Sequence, residues 1–301
     1  MMQTTFASGR EDYIDYTVDG VTLLRYVYRP HVLPVNVPKP FIHPLRTLGG
    51  AEVTARSPHD HPWHTGLAMT MPYLQDRNFW GGPSFVMGEG YKLLDSHGRI
   101  EHVRFDEIKI DVDAFALNET VAWKPDANTV WLHEARHISV AEINRAEAYW
   151  VLTYHADLRN VTTTVMTFGS PTTHGRPMAG YGSYFWRGPR AFMGAGGRLL
   201  GPEERDNYMG VSLPWLAYVG QHDESDAKST LLFVDDPANP RYPNKWFARK
   251  DLYPGVSFSF MFDETYQLAP GDTLSLTYHV AICDGARAQD ELARIAHRVA
   301  H

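Results

Sequence analysis

The chain has 301 residues, 44% of them hydrophobic and 13% aromatic, with 24 glycines and 20 prolines, which is sufficient for a large core. A formal net charge of −7 and the lack of a basic run argue against a nucleic-acid partner. The single cysteine, Cys283, excludes an intrachain disulfide and a cysteine-based zinc site.

The N-terminal residues 1–5 show no charged-then-apolar pattern of a secretory signal. No apolar run approaches the length of a membrane span. We therefore predict a cytoplasmic protein without a membrane partner.

Short alternating segments between glycine and proline turns predict strands along most of the chain. Residues 13–28 predict one or two strands, and residues 51–56 predict a strand that leads into a histidine-rich loop. Gly98 and Arg99 indicate a hairpin tip between strands near 91–96 and 100–112. Further strands are predicted over residues 130–143, 148–158, 161–168 and 273–282.

One helix is predicted at the C-terminal end, where Leu292, Ile295, Ala296 and Val299 recur at helical spacing. Many short strands followed by one helix predict an all-β fold, a large antiparallel β-sandwich with a short C-terminal helix. Neither an internal repeat nor a low-complexity linker divides the chain. Residues 1–301 are therefore predicted to form a single domain.

The histidine-rich loop, residues 57–66, reads Ser-Pro-His-Asp-His-Pro-Trp-His-Thr-Gly. Pro58 and Pro62 restrict the backbone, so we predict a stiff loop or strand end rather than a helix. Imidazoles beside a carboxylate can transfer protons or bind a metal. The candidate catalytic residues are His61, His64, Asp60 and His59. We expect Asp60 to orient one of the two main histidines, and His61 and His64 are also the candidate metal ligands.

A second histidine motif, His133-Glu134-Ala135-Arg136-His137, matches the H-E-x-x-H pattern of zinc proteases. That chemistry needs a helix, because only a helix brings positions i and i+4 together over one ion. The flanking residues are β-branched and aromatic, which favours a strand. We therefore expect Glu134 and Arg136 to share one face of a strand and to pair with neighbours across the sheet.

Aromatic residues and arginines elsewhere are candidates for contacts with a substrate. Trp63 and Trp80 offer flat surfaces for a sugar ring, and residues 79–83 predict a sharp turn at Trp80. In Gly180-Tyr181-Gly182 the glycines allow a bend or a close ligand, although a β-bulge with core aromatics fits equally well. This segment is not a phosphate loop, and no nucleotide cofactor is expected. The candidate substrate-binding residues are Trp63, Trp80, Tyr181, Tyr184, Arg187, Asn239, Arg241, Trp246 and His43.

Several of these segments together resemble a bacterial family described as methane oxygenase PmoA-like, in effect a domain of unknown function. They are Pro-Phe-Ile-His-Pro-Leu (40–45), Asp-His-Pro-Trp-His-Thr-Gly (60–66), Asn-Phe-Trp-Gly-Gly (78–82), Gly-Tyr-Gly (180–182), Asn-Pro-Arg (239–241) leading to Trp246-Phe247, Pro-Gly (270–271) and Asp-Gly (284–285). A membrane methane-oxidising subunit would need spanning helices, which this sequence lacks.

The resemblance implies a supersandwich similar to the galactose-mutarotase-like carbohydrate enzymes and a place in bacterial sugar catabolism. The resemblance does not identify a catalytic residue in this chain. At position 63 this chain has tryptophan where the family is associated with histidine, so a metal scheme with a ligand at that position does not apply.

Three functions stay open on the sequence. The first is a carbohydrate-active enzyme that applies histidine acid–base chemistry to a sugar or keto-sugar, as an epimerase, a lyase or hydratase, or a glycoside-cleaving enzyme. The second is a metal-dependent hydrolase or oxygenase with a divalent metal on His61, His64 and a third ligand, which could be His43, His174 or a carboxylate. The third is a non-catalytic carbohydrate-binding sandwich. The expected partner is a small-molecule sugar or glycoside, and a homo-oligomer stays open.

Overall fold

A computed structural model describes residues 11–300, which form twenty strands, three short 3-10 helices and one α-helix. The expectation for residues 1–5 lies outside this range. In chain order the strands are β1 (Asp12–Val18), β2 (Val21–Arg29), β3 (Phe41–Leu45), β4 (Leu67–Thr70), β5 (Tyr73–Leu74), β6 (Ser84–Val86), β7 (Gly90–Lys92), β8 (Arg99–Ile110), β9 (Phe115–Lys124), β10 (Leu132–Asn144), β11 (Tyr149–Asn160), β12 (Met166–Gly169), β13 (Ser183–Arg187), β14 (Gly197–Leu200), β15 (Trp215–Gln221), β16 (Lys228–Asp235), β17 (Lys245–Arg249), β18 (Gly255–Ser259), β19 (Tyr266–Leu268) and β20 (Thr273–Asp284). The 3-10 helices are Pro34–Asn36, Arg190–Phe192 and Gly194–Gly196, and the α-helix is α1 (Gln289–Val299).

Two large antiparallel sheets contain most of the strands. The seven-stranded sheet has the order β1-β2-β3-β4-β13-β18-β17, and the eight-stranded sheet has the order β14-β15-β16-β20-β11-β10-β9-β8. A three-stranded sheet, β19-β12-β5, and the β6-β7 pair complete the strand pairing of the described residues. In these sheets neighbouring strands run antiparallel, which suits sheets with different environments on their two faces.

Aromatic side chains from the two large sheets meet in one core. Tyr184 of β13 stacks on Tyr154 of β11 with ring centroids 4.3 Å apart, and Phe258 of β18 lies 4.2 Å from Tyr278 of β20. Sheets that pack face to face in this way form a sandwich. The predicted all-β fold with a large antiparallel β-sandwich is therefore confirmed.

The predicted C-terminal helix is confirmed as α1, which covers the outer face of the eight-stranded sheet. Leu292 and Ile295 are buried there against residues of β15, β16 and β20. The helix begins after Ala288, whose backbone N–H donates to the Glu291 carboxylate at 2.9 Å, so a donor at the helix start is satisfied. Among residues 11–300, no helix has both the length and the apolar character needed to traverse a bilayer.

The hairpin predicted around Gly98 and Arg99 is wrong. Strand β7 pairs with β6, and β8 pairs with β9. The backbone N–H of Gly98 instead donates to the carbonyl of Asn78 at 2.9 Å, and a Cβ at position 98 would lie 2.5 Å from the ring of Phe79. Glycine is needed here for close packing between loops rather than for a turn.

Two other strand predictions are corrected. Residues 51–56 make only isolated bridges, at Glu52 and Arg56, before the histidine-rich loop. The strand predicted over residues 161–168 begins only at Met166. The side-chain oxygen of Asn160 accepts hydrogen bonds from the backbone N–H and the hydroxyl of Thr162, and such local bonds compete with a strand ladder.

The H-E-x-x-H segment lies on strand β10, as predicted, so its two histidines do not share an ion. Glu134 and Arg136 are buried on the same face and form two charge-assisted bonds, of 2.7 and 2.9 Å. They therefore pair with each other, and Glu134 also contacts side chains of the neighbouring strands. Trp123 of β9 and Tyr154 of β11 each donate to the Glu134 carboxylate.

Replacing Arg136 would leave the buried Glu134 carboxylate without its counter-charge. We expect Arg136→Leu to lower the free energy of unfolding by about 3–5 kcal/mol. The matched control, Arg159→Leu at an exposed position of β11, should change it by less than about 0.5 kcal/mol. Urea unfolding followed by circular dichroism measures both, and equal stabilities would show that the buried charges do not support the sandwich.

Candidate functional site

The histidine-rich loop, residues 57–66, folds as two consecutive turns. The carbonyl of Pro58 accepts from the backbone N–H of His61 at 3.0 Å, and the carbonyl of His61 accepts from His64 at 3.0 Å. Pro62 occupies the second position of the second turn, where its fixed φ is favourable. The stem closes where Ser57 N–H donates to the carbonyl of His64. The imidazoles of His61 and His64 consequently stack, with centroids 4.7 Å apart.

The loop lies against the outer face of the seven-stranded sheet. Tyr184 and Trp186 of β13 point into the core, so Phe185 and Arg187 of the same strand point outward. On β17 Phe247 belongs to the same outer aromatic cluster as Phe185. The alternation of strand residues thus supplies this outer face with aromatic and guanidinium groups.

A cavity of about 170 Å³ opens between the loop and this outer face. Its walls combine imidazole, indole, phenol and guanidinium groups from five separate parts of the chain. The lining residues are His61, Trp63, His64, Trp80, Pro83, Tyr91, Arg176, Tyr181, Arg249 and Tyr253.

Asp60 orients His61, as expected for one of the two histidines. The Asp60 carboxylate oxygen lies 2.8 Å from Nδ1 of His61, and because a carboxylate accepts, Nδ1 carries the proton. Nε2 of His61 then has a free lone pair, and it has no hydrogen-bond partner among the described residues. Burial lowers the pKa of His61 below 6.5 although Asp60 opposes the shift, so the ring is neutral at pH 7. Burial tends to raise the pKa of Asp60, but His61 and Arg187 outweigh it and lower that pKa to about 2.

His64 has the opposite tautomer. Nη1 of Arg187 lies 3.1 Å from Nδ1 of His64, and a guanidinium only donates, so Nδ1 must accept. The proton of the neutral ring is then on Nε2. Burial, followed by the charges of His61 and Arg187, holds the pKa of His64 well below its usual range. The cavity therefore receives one imidazole acceptor, from His61, and one imidazole donor, from His64.

Lys39 ties together the two backbone segments that carry the tryptophans. Its buried side-chain nitrogen lies within hydrogen-bond distance of the carbonyls of Trp63 at 3.2 Å and Trp80 at 2.9 Å, and also of two carbonyls of residues 36–37. Burial lowers the pKa of Lys39 to about 7. The Trp63 indole packs so closely on Gly82 that a Cβ there would lie 2.6 Å from the ring, which explains the glycine at this positive-φ turn.

Tyrosines and arginines complete the wall opposite the loop. The hydroxyls of Tyr91 and Tyr181 are 3.0 Å apart, and the Arg176 guanidinium donates to Tyr91. Burial raises the pKa of Tyr181 and of Tyr253, so both hydroxyls keep their protons and can donate to a ligand. The guanidinium carbon of Arg187 lies 4.6 Å from the centre of the Tyr253 ring.

Of the residues predicted from sequence, one group comes together at the cavity. His61, His64, Trp63, Trp80 and Tyr181 line it. Asp60 and Arg187 lie behind the two histidines and contact them directly.

Two predicted histidines lie outside the cavity lining. His59 is exposed, and its Nδ1 is 3.1 Å from a guanidinium nitrogen of Arg190. His43 lies on β3 with Nδ1 3.0 Å from the Thr54 hydroxyl, and burial lowers its pKa to about 4. Neither is placed to contact a molecule in this cavity.

The other predicted substrate-binding residues have structural positions. Tyr184 is in the core between the sheets, and Trp246 is fully buried with its indole N–H donating to a backbone carbonyl. Asn239 holds the backbone of residue Thr277 through both ends of its amide. Arg241 donates to three backbone carbonyls in residues 260–265.

Sequence reasoning missed Tyr91, Arg176, Arg249 and Tyr253. Arg249 is the last residue of β17, and Arg176 follows a glycine in an irregular segment. A local signal exists only for Tyr253, which precedes Pro254 in a turn. The other three reach the cavity through sheet pairing and loop packing.

The ligand set that a divalent metal needs is not assembled here. Within residues 11–300 no group of three or more His, Cys, Asp or Glu side chains is placed to hold an ion. His174, a candidate third ligand, stacks on Tyr73 with centroids 3.7 Å apart and donates to the carbonyl of Ser170. Nδ1 of His64 already faces the positive charge of Arg187, which disfavours a second cation there.

Comparison of the sequence with protein families identifies the family of this chain. The model of the Family of unknown function (DUF6807) matches residues 13–297. This agrees with the domain of unknown function that the sequence resemblance implied. No curated protein is significantly similar to the chain in sequence.

Similar solved structures include three named for carbohydrate enzymes. A polysaccharide lyase has 10% identity and a TM-score of 0.36, and the match covers 96% of this chain but 34% of the lyase, so the chain spans about a third of its length. A galactose mutarotase related enzyme from Lactobacillus acidophilus has 10% identity and a TM-score of 0.36, and the match covers 91% of this chain and 98% of that enzyme. A candidate aldose 1-epimerase from Klebsiella pneumoniae has 12% identity and a TM-score of 0.33, and the match covers 72% of this chain and 63% of that protein. Similarity at this level extends none of these activities to the chain.

The hydrogen bond from His61 to Asp60 should affect the pKa of His61. We expect the pKa of His61, measured by NMR on histidine-labelled protein, to lie below 6.5 because burial disfavours the charged ring. Asp60→Asn should lower it further, since the Asp60 carboxylate acts to raise it. Asp236→Asn, which alters the acid that faces His279, is the control and should leave it unchanged. A His61 pKa that rises in Asp60→Asn would contradict the proposed tautomer.

Removing the Lys39 ammonium would leave several buried carbonyl oxygens without their donor. We expect Lys39→Met to cost roughly 2–4 kcal/mol of stability and to loosen the segments that carry Trp63 and Trp80. Lys228→Met, at an exposed position, should cost less than about 0.5 kcal/mol. Chemical unfolding gives the stabilities, and acrylamide quenching of tryptophan fluorescence reports the loosening. Unchanged stability and quenching would show that Lys39 does not support these segments.

Proposed function

We propose a function for this chain, which belongs to the Family of unknown function (DUF6807), from the paired imidazoles of its cavity. The chain is a carbohydrate-active enzyme that moves protons on a small-molecule sugar or keto-sugar. His61 is the general base, His64 is the hydrogen-bond donor, and Asp60 is a positioning residue.

The observation that carries this proposal is the complementary tautomers of His61 and His64 in one cavity. A reaction that removes a proton next to a carbonyl needs a base near the carbon and a donor near the oxygen. The free Nε2 lone pair of His61 suits the first task, and the Nε2–H of His64 suits the second. Their ring centroids are 4.7 Å apart, so a single small substrate can contact both.

The C–H bond next to the substrate carbonyl breaks, the proton passes to Nε2 of His61, and the electron pair forms an enolate. The negative charge on the enolate oxygen is stabilised by the Nε2–H of His64, which is neutral and therefore keeps its proton. His61 then releases its proton to solvent, and delivery of a solvent proton to the opposite face of the enolate gives an epimer. Departure of a substituent from the next carbon with its bonding electrons gives elimination instead.

The walls of the cavity support a sugar as the substrate. Trp80 lies edge-on to His64 at 5.5 Å and Trp63 at 6.0 Å, so the indoles border the imidazole pair. Indole faces pack against the apolar face of a sugar ring. The hydroxyls of Tyr91 and Tyr181 are available for polar contacts with the sugar hydroxyl groups.

Loss of the base should abolish proton transfer without abolishing binding. In D₂O, a panel of sugars and keto-sugars followed by proton NMR would show deuterium incorporation next to the carbonyl. We expect His61→Asn to slow incorporation about 10²–10⁴-fold and His64→Asn to have an effect of similar size. His59→Asn, outside the cavity lining, is the matched control and should match the wild-type rate.

Circular dichroism and sugar-induced quenching of tryptophan fluorescence would show that the variants stay folded and bind. Incorporation at the wild-type rate in both His61→Asn and His64→Asn would overturn the assignment. Sugar binding without incorporation in the wild-type protein would favour a non-catalytic carbohydrate-binding sandwich.

A further inference from the structure

We propose that the substrate of this cavity is a sugar acid, whose carboxylate is bound by Arg249 and Arg176. The assignment of a reaction to this substrate rests on the proposed function, whereas the carboxylate site itself does not. Three observations support the proposal.

The first is the sign of the charged groups in the wall. Arg176 and Arg249 line the cavity, and no aspartate or glutamate does. The nearest acid, Asp60, lies behind His61, and its carboxylate already accepts from His61 and Arg187. A site for a neutral sugar usually includes carboxylates or amides as acceptors for hydroxyl groups. This wall offers mainly donors, so its ligand should bring the acceptors.

The second observation is that both guanidinium groups lack a counter-ion among the described residues. Among residues 11–300 neither Arg176 nor Arg249 forms an ion pair with a carboxylate. Within the described part of the chain the Arg249 guanidinium contacts two rings, with its carbon 5.0 Å from the centre of Phe247 and 5.6 Å from that of Tyr253. The two buried rings hold the cation in place while its five N–H donors stay available. A planar guanidinium matches a planar carboxylate with two parallel hydrogen bonds.

The third observation is the positive charge that surrounds the cavity. Burial raises the pKa of the Tyr253 hydroxyl, while the guanidiniums of Arg249, Arg187 and Arg176, which all lie near it, act to lower that pKa. The charge of Arg249 also acts to lower the pKa of His61 and that of His64. Cations gathered around a partly desolvated cavity attract an anion. They would also favour the negative charge that the substrate gains when His61 removes a proton from it.

Binding of matched sugars tests the carboxylate site directly. Isothermal titration calorimetry of the full chain would compare D-glucuronate and D-galacturonate with D-glucose and D-galactose, and D-glucose 6-phosphate would serve as a second kind of anion. We expect the uronates to bind at least about tenfold more tightly than the neutral sugars, with the preference falling as salt increases. Equal or weaker affinity for the uronates, including no binding of any sugar, would overturn the proposal. A preference for the phosphate over both uronates would also overturn it.

Variants locate the preference in the structure. We expect Arg249→Gln to weaken uronate binding about ten- to a hundredfold and Arg176→Gln to weaken it measurably, while neutral-sugar affinity stays the same. Arg198→Gln, at an exposed position of β14, is the matched control and should change nothing. An unchanged uronate affinity in both Arg249→Gln and Arg176→Gln would place the carboxylate elsewhere and overturn the assignment.

The two proposals fail in different ways. Uronate binding that depends on Arg249, together with deuterium incorporation that is unaffected by His61→Asn, would keep the carboxylate site and remove the acid–base function. Incorporation into a neutral sugar that depends on His61, without any preference for uronates, would keep the function and remove the carboxylate site.

Discussion

The candidate site depends on the contacts that the buried guanidinium of Arg187 makes. It donates to Nδ1 of His64 and to the Asp60 carboxylate, and it lies over the ring of Tyr253. Because arginine cannot accept a hydrogen bond, this one side chain sets the tautomer of His64. By holding Asp60 it also fixes the partner of His61. A charge so far out of water is tolerated because a carboxylate and an aromatic face accompany it.

The position of Arg187 follows from the sheet. It is the last residue of β13, and β13 lies between β4 and β18 in the seven-stranded sheet. Its backbone N–H donates to the carbonyl of Gly66, which ends the histidine-rich loop, and it pairs with Gly255 at the start of β18. The strand therefore brings the loop and the Tyr253 turn to one place. Both faces of β13 are buried, because the core covers one and the outer aromatic cluster covers the other.

The two faces of this sheet are covered in different ways. The inner face is packed with aromatic side chains such as Tyr184 and Trp186, which are buried in the core between the sheets. The outer face would ordinarily meet solvent, but the loop and the segments around Trp80 and Tyr181 cover it. A cavity arises where this cover is incomplete. Chemistry on the outer face of a packed sandwich lets the site vary without disturbing the core.

The sequence by itself determined the all-β class, the C-terminal helix and the stiff loop of His61 and His64, since these depend on periodicity and on proline, which act over a few residues. It also identified the strand at Glu134, because β-branched neighbours outweigh a motif that needs a helix. Only the tertiary structure decided that Tyr184 belongs to the core while Arg249 belongs to the site. Which face of a strand meets a ligand depends on what packs over the sheet from distant segments, and no local pattern contains that information.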